Sequence, residues 1–194
     1  MNQLEDLFRR RFEESTDAKR ATVIALMPAL VTAAKTLVDA YLAGRKAIFL
    51  GNGGSAADAQ HMAAELLGRY LYERSPLPAL ALTTNSSAVT AIANDYGYEQ
   101  VFARQVEALA VAGDVIVGLS TSGNSANIVE AFLLARRLGM KTIALTGRTG
   151  GRLAAISDVL LNVPSDETPR IQECHTLIGH TLCEAIESAL MQKE

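Results

Sequence analysis

From residue 21 to residue 42 the apolar positions are Val23 and Ile24, Met27, Leu30 and Val31, Ala34, Leu37 and Val38, and Tyr41 and Leu42. They step by three and four, the period of an amphipathic helix. Pro28 lies inside this run, where a proline starts or kinks a helix, so residues 1–44 are expected to form a helical hairpin. A stripe this wide suits packing on two sides, against its own domain and against another subunit, although core packing alone also uses such a stripe. After Gly44 the texture changes to short β-rich runs, Ala47 to Leu50, Ala79 to Leu82, Val115 to Leu119, Thr142 to Leu145 and Val159 to Val163. Apart from Thr142 and Asn162 they are apolar throughout instead of alternating, as in strands buried on both faces of a parallel sheet. Between and after them helical patterns fit Ala56 to Arg74, Ser87 to Ala93, Glu99 to Ala110, Ser125 to Leu138 and Pro169 to Met191. The alternation predicts an α/β fold, a doubly wound five-stranded parallel sheet flanked by helices, with right-handed crossovers.

The 194 residues suit one domain, with a helical segment at 1–44 and an α/β core with a C-terminal helix at 45–194. Lys and Arg number 18 against 21 Asp and Glu, a net charge of -3. No global basic field is available for a polyphosphate backbone, so no nucleic acid partner is expected. The longest uncharged apolar run, Ala21 to Ala34, is shorter than the ~20 residues that span a bilayer. With Glu5 and Asp6 near the start there is no secretory pattern either, and neither membrane insertion nor export is expected. Cys174 and Cys183 fall on opposite faces of one predicted helix and cannot bridge each other, which fits a reducing, cytoplasmic setting.

In a doubly wound sheet, ligands bind beyond the carboxyl ends of the strands. The first strand runs into Gly51-Asn52-Gly53-Gly54-Ser55 and a helix. Such a loop is either a plain tight turn or an anion site made by backbone N–H groups and the helix N-terminus. It is not a nucleotide loop: the lysine of a P-loop and the third glycine of a dinucleotide fingerprint are missing, and Thr83-Thr84-Asn85 carries no acidic residue for a ribose. The third strand runs into Ser120-Thr121-Ser122-Gly123-Asn124-Ser125. Four hydroxyls at a helix N-terminus, with no Lys or Arg, suit a small phosphate monoester held by hydrogen bonds; the bland alternative is a capping loop. The similar Thr146 to Gly151 loop reads as structural.

The three histidines, 61, 175 and 180, occupy two short windows. On a helix His61 and Glu65 lie about 40° apart and share a face, which Arg69 continues, while Gln172 and His180 lie about 80° apart and can look into one cleft. His175, about 140° from His180, should face elsewhere as a packing or supporting residue. Two imidazoles, a carboxylate and an amide oxygen could hold a borderline divalent ion, zinc first among them. The same groups could equally act as general acid and base beside a sugar carbonyl.

Taken together, Gly51-Asn52-Gly53-Gly54-Ser55, His61-x-x-x-Glu65, Asn94-Asp95, Ser120-Thr121-Ser122-Gly123-Asn124-Ser125 and Arg170-Ile171-Gln172-Glu173, with His180 eight beyond the glutamine, resemble the phosphoheptose isomerases of the sugar isomerase (SIS) domain superfamily. The resemblance runs over nearly the whole chain, in order and at matching spacing. It implies interconversion of sedoheptulose 7-phosphate and D-glycero-D-manno-heptose 7-phosphate through an enediol, at the entry to ADP-heptose and lipopolysaccharide core synthesis. It implies Glu65 and His180 as the acid/base pair, and one zinc ion per subunit on His61, Glu65, Gln172 and His180. Ser120, Thr121, Ser122 and Ser125 would hold the phosphate. Asn52, Gly53, Gly54, Ser55, Glu65, Asn94, Asp95 and Gln172 would contact the sugar, with Arg69 and Thr168 as weaker candidates. A cytoplasmic homotetramer with shared active sites is implied as well. Pro169 departs from relatives that carry an acidic residue there.

Two further readings compete. Proteins of the same fold bind the bacterial replication initiator without being isomerases, but they tend to lack the helix carboxylate that Glu65 supplies here. Other SIS activities on hexose or amino-sugar phosphates share the hydroxyl-rich loop without the set of His61, Glu65, Gln172 and His180.

Overall fold

A computed structural model describes residues 2–191. The chain runs α1 (Asn2–Leu42), β1 (Ala47–Gly51), α2 (Gly54–Leu67), β2 (Ala79–Ala81), α3 (Ser86–Tyr96), α4 (Ala103–Leu109), β3 (Val115–Ser120), α5 (Ala126–Arg137), β4 (Lys141–Thr146), β5 (Val159–Asn162) and α6 (Thr168–Met191). Short 3-10 turns occupy Tyr98–Gln100 and Gly151–Ala155. The five strands are all parallel, in the order β2-β1-β3-β4-β5. After β2 the chain crosses back over β1 to add β3 on its far side, so the winding reverses between β1 and β3. Their carboxyl ends therefore border the crevice in which such sheets bind ligands.

The alternation of side chains along each strand divides the core into two layers. Phe49, Val115, Val117, Leu119, Ile143, Leu145 and Leu161 face α1, α2 and α6, whereas Ile48, Leu50, Ile116 and Ala144 face α4 and α5. Gly118 permits the second layer to close, since a Cβ there would lie 2.5 Å from the buried Phe132 ring. Continuous burial of β1 and β3 accounts for their unbroken apolar sequence.

Two expectations about elements need correction. The N-terminal segment is not a hairpin but a single helix of 41 residues, with Pro28 inside it. Pro28 is exposed and its neighbour Ile24 is 81% exposed, so the carbonyl that loses its partner at a helical proline faces solvent. The buried stripe Leu26, Ala33, Leu37 and Ala40 packs into the core and carries the helix through. By length and composition α1 could cross a membrane, but in this structure that stripe lies on the sheet layer. The second correction is that α2 ends at Leu67, not Arg74. Gly68 stops it, and the following chain is captured by Glu187 of α6. That carboxylate has no exposed surface and accepts hydrogen bonds from the backbone N–H groups of Tyr70, Leu71 and Tyr72 at 2.7, 2.8 and 3.2 Å. Arg74 Nε donates to it at 2.8 Å. Burial alone would push the Glu187 carboxyl up, but these donors outweigh it and hold it below the usual carboxylate range. Cys174 and Cys183 are both buried and unbridged.

His175 faces away from the other histidines. It is fully buried and donates Nε2–H to the Thr146 carbonyl at 3.1 Å, with Nδ1 unpartnered. Burial lowers its pKa from 6.5 to about 4, and the Thr146 bond only partly opposes that. The folded state therefore binds fewer protons than the unfolded state between those values, so the stability it contributes is complete above pH 6.5 and is lost as pH falls toward 4. A shift of this size corresponds to ~3 kcal/mol. Thermal melts from pH 8 to pH 5 should show a steep fall that is flatter in His175→Gln; an unchanged slope in the variant would contradict this account.

Candidate active site

The crevice between β1 and β3 is lined by the loops read from the sequence. Beyond β1, α2 begins with Gly53 at its N-cap, and no side chain caps it. Beyond β3, α5 begins with Ser125 at its N-cap, and its hydroxyl makes no capping bond either. Ser125 Oγ instead pairs with Ser120 Oγ at 3.0 Å. By contrast α3, which follows the edge strand β2, is capped in the ordinary way by Asn85 Oδ1 accepting from Ala88 N–H at 3.0 Å. Neither helix that starts at the crevice receives a bond from its N-cap side chain, although Asn127 Oδ1 accepts from Ile128 N–H in the first turn of α5 at 3.0 Å; the N–H groups ahead of it suit an anion. The reading of the serine loop as a simple cap fails on the same geometry.

Gly123 gives the serine loop its shape. It has φ +67°, a conformation L side chains rarely adopt. The Thr146 to Gly151 loop and the 3-10 turn that follows support it, as Gly147 N–H donates to Thr121 O at 2.9 Å and Arg152 N–H to Asn124 Oδ1 at 3.0 Å. That structural reading is incomplete. A cavity of about 320 Å³ is lined by Thr121, Ser122 and Thr168 and also by Arg148 and Thr149. Arg148 is the cation the serine loop lacks, here paired through Nε with Asp166 at 2.8 Å.

The histidine cluster forms where α2 meets α6. Gly179 makes this approach possible: a Cβ there would stand 3.0 Å from the Met62 side chain. One residue along each helix, His61 Nε2 lies 2.8 Å from His180 Nε2. Glu65 Oε1 is 3.3 Å from His61 Nε2. Ligand atoms from His61, Glu65 and His180 all fall within 4.8 Å of one another, forming a possible metal-binding triad. Thr176 Oγ1 donates to Asp58 Oδ1 at 3.0 Å and ties the same helix pair. Gln172 reaches the β1 loop, its Nε2 lying 2.9 Å from where a Cβ on Gly54 would be. Its neighbour Ile171 lines the cavity with Thr121 and Ser122. One turn of α6 thus touches both the glycine loop and the hydroxyl-rich pocket.

Other predicted residues are placed less directly. Arg69 lies beyond the end of α2, so it does not continue the His61 and Glu65 face, and it pairs with Glu73 at 3.7 Å. Asn94 and Asp95 sit exposed at the end of α3, with Asn94 Nδ2 donating to Asp95 Oδ1 at 2.8 Å. Ser55 is buried in the first turn of α2, while Gly53 and Gly54 are exposed. Three residues not singled out from the sequence also join the site. Tyr70 stacks on His180, with ring centroids 5.5 Å apart and planes inclined by 21°. Asn127 and Tyr98 both bond to Asn52. Asn127 follows the serine loop by two residues, so an extended reading of that motif would have reached it; nothing in the sequence pointed to Tyr70 or Tyr98.

Comparison with known proteins agrees with this geometry. The SIS domain family model matches residues 12–147. A phosphoheptose isomerase of Aliarcobacter butzleri is 58% identical over 161 residues, 83% of this chain and 85% of that one. One from Helicobacter pylori is 50% identical over 190 residues, 98% of this chain and 99% of its own. The structure of phosphoheptose isomerase GmhA from Neisseria gonorrhoeae superposes with a TM-score of 0.90 at 49% identity, covering 95% of this chain and 99% of that chain. With its reversed winding at β1 and β3, its paired histidines and its hydroxyl-rich loop, this chain belongs to the phosphoheptose isomerases of the SIS domain family.

Proposed function

We propose that the chain converts D-sedoheptulose 7-phosphate to D-glycero-D-manno-heptose 7-phosphate through an enediol, supplying heptose for ADP-heptose and the lipopolysaccharide core. The observation that carries the reading is the convergence of His61, Glu65 and His180 within 4.8 Å beside a glycine loop and a hydroxyl pocket. Ser120, Thr121, Ser122 and Ser125, with the uncapped start of α5, hold the phosphate at one end. Asn52, Gly53, Gly54, Ser55, Asn94 and Asp95 meet the sugar, and Arg69 and Thr168 lie at its margins. This anchoring brings C1 and C2 to the carboxylate and imidazole. Glu65 and His180 act as the acid/base pair: one takes a proton from C1 of the ketose while the other protonates the C2 carbonyl oxygen to give the enediol, and return of the first proton to C2 with loss of the O1 proton to the second group then gives the aldose. The contact between His61 Nε2 and His180 Nε2 at 2.8 Å requires a shared proton or a common cation between them.

Two imidazole nitrogens, a carboxylate oxygen and the Gln172 amide form a donor set suited to one zinc ion per subunit. A bound zinc ion would supply Lewis-acid polarisation of the sugar carbonyl. Glu65 and His180 must then trade between holding the ion and moving protons, because a carboxylate bound to a cation is a weaker base. A homotetramer with shared active sites is supported by the apolar residues that α1 leaves exposed, Leu4, Phe8, Phe12 and Ile24, at 64, 64, 72 and 81%. Apolar exposure of this extent on one helix calls for a partner surface. A cytoplasmic location is consistent with two free thiols. The initiator-binding alternative is not favoured, because Glu65 is present and in register with His61.

Glu65→Gln and His180→Gln should each lower turnover of sedoheptulose 7-phosphate on the order of 100-fold or more, as expected for loss of an acid/base group; robust activity in both would overturn the assignment. Elemental analysis of protein purified without chelator should find about one zinc per chain and a marked loss in His61→Ala, as expected when one of four ligands is removed. Equal metal in parent and variant would remove His61 from the ligand set.

A further inference from the structure

Asn52 stands in the loop after β1, and its side chain is bound on the protein side by two partners. Asn52 Nδ2 donates to Asn127 Oδ1 at 3.0 Å, and Asn127 Nδ2 donates back to Asn52 Oδ1 at 2.9 Å. Tyr98 Oη also donates to Asn52 Oδ1, at 3.1 Å. An amide pair of this kind could in principle turn over, exchanging oxygen for nitrogen in both residues. A backbone group prevents it. Ile128 N–H lies 3.0 Å from Asn127 Oδ1, and a backbone N–H can only donate, so that atom is the carbonyl oxygen. The orientation of Asn127 fixes that of Asn52 in turn.

Counting valences then defines what Asn52 presents. Its carbonyl oxygen has two lone pairs, and Asn127 and Tyr98 engage both. Its nitrogen has two hydrogens, and Asn127 takes one. Asn127 itself is only 3% exposed and cannot reach a ligand. We infer that Asn127 is a positioning residue that locks the Asn52 amide, so that Asn52 offers the crevice one N–H donor and no acceptor. The matching substrate atom is an oxygen acceptor of the sugar, a carbonyl or hydroxyl oxygen, and a group that can only donate is refused. The inference rests on the reading of Asn52 as a sugar contact.

A double-mutant cycle on sedoheptulose 7-phosphate turnover tests it, with Asn52→Ala, Asn127→Asp and the pair. Asn127→Asp keeps an oxygen for Ile128 N–H and suits a helix N-terminus, but it sets oxygen against oxygen across the pair and releases Asn52. Each single variant should lose about tenfold or more in kcat/KM, the scale of one well-placed hydrogen bond. The two should divide the loss between kcat and KM in the same proportion, and the double variant should stay within about twofold of Asn52→Ala, the signature of residues acting as a unit. Losses that multiply in the double variant, or parental kinetics in Asn127→Asp, would overturn the inference while leaving Asn52 in the site. Parental kinetics in Asn52→Ala would overturn the underlying reading and the inference with it. Should Asn127→Asp melt below the assay temperature, Tyr98→Phe repeats the cycle from a residue that is 54% exposed. Its loss should vanish in the Asn52→Ala background, and persistence there would overturn the inference.

Discussion

The chemistry depends on how closely α2 and α6 approach each other. They meet at Gly179 against Met62, where a side chain on the glycine would stand 3.0 Å from the methionine. Glycine in a helix interior costs about 1 kcal/mol relative to alanine, and here it places His61 and His180 in direct contact. The pairing is held at both ends. Thr176 bonds Asp58 on one side, and on the other the buried Glu187 binds the chain that leaves α2. A carboxylate with no exposed surface is costly unless its oxygens are saturated, and removing one partner of such a pair typically costs about 3–5 kcal/mol. The same saturated carboxylate orders the backbone of Tyr70, whose ring stacks on His180. Helix packing, the buried ion pair and the imidazole geometry are therefore parts of one arrangement.

The phosphate end works on a different principle. In the proposed function a chain of net charge -3 binds a small dianion through a local field. Two helices begin at the crevice without a bond from their N-cap side chains, and the proposed phosphate site takes its remaining donors from hydroxyls. Arg148 adds a charge at the edge of the cavity, tied to Asp166, so attraction at the pocket is partly balanced by a carboxylate of the protein itself.

Much of this was legible in the sequence, for identifiable reasons. Strands buried on both faces must be apolar throughout, so β1, β3 and β4 stood out within one residue of their observed limits. The glycine loop, the serine loop and the histidine spacing are local patterns, and the structure brings His61, Glu65 and His180 together. What was hidden depends on partners distant in sequence. Helix α2 was drawn to Arg74 because nothing local shows that Glu187, more than a hundred residues on, captures the chain after Gly68. Pro28 suggested a break in α1, yet its exposed position makes the missing hydrogen bond tolerable. The Asn52 and Asn127 pair was invisible for the same reason, as was the stacking of Tyr70 on His180.

The proposed function centres on a possible metal-binding and proton-transfer site where α2 meets α6. The most direct test is turnover of sedoheptulose 7-phosphate by the purified chain after chelation, with residual metal quantified, followed by titration with zinc. Formation of the aldose phosphate should collapse in metal-free protein and return as about one zinc per chain is restored. Full activity in protein shown to hold no metal, or no aldose phosphate at any zinc level, would contradict it.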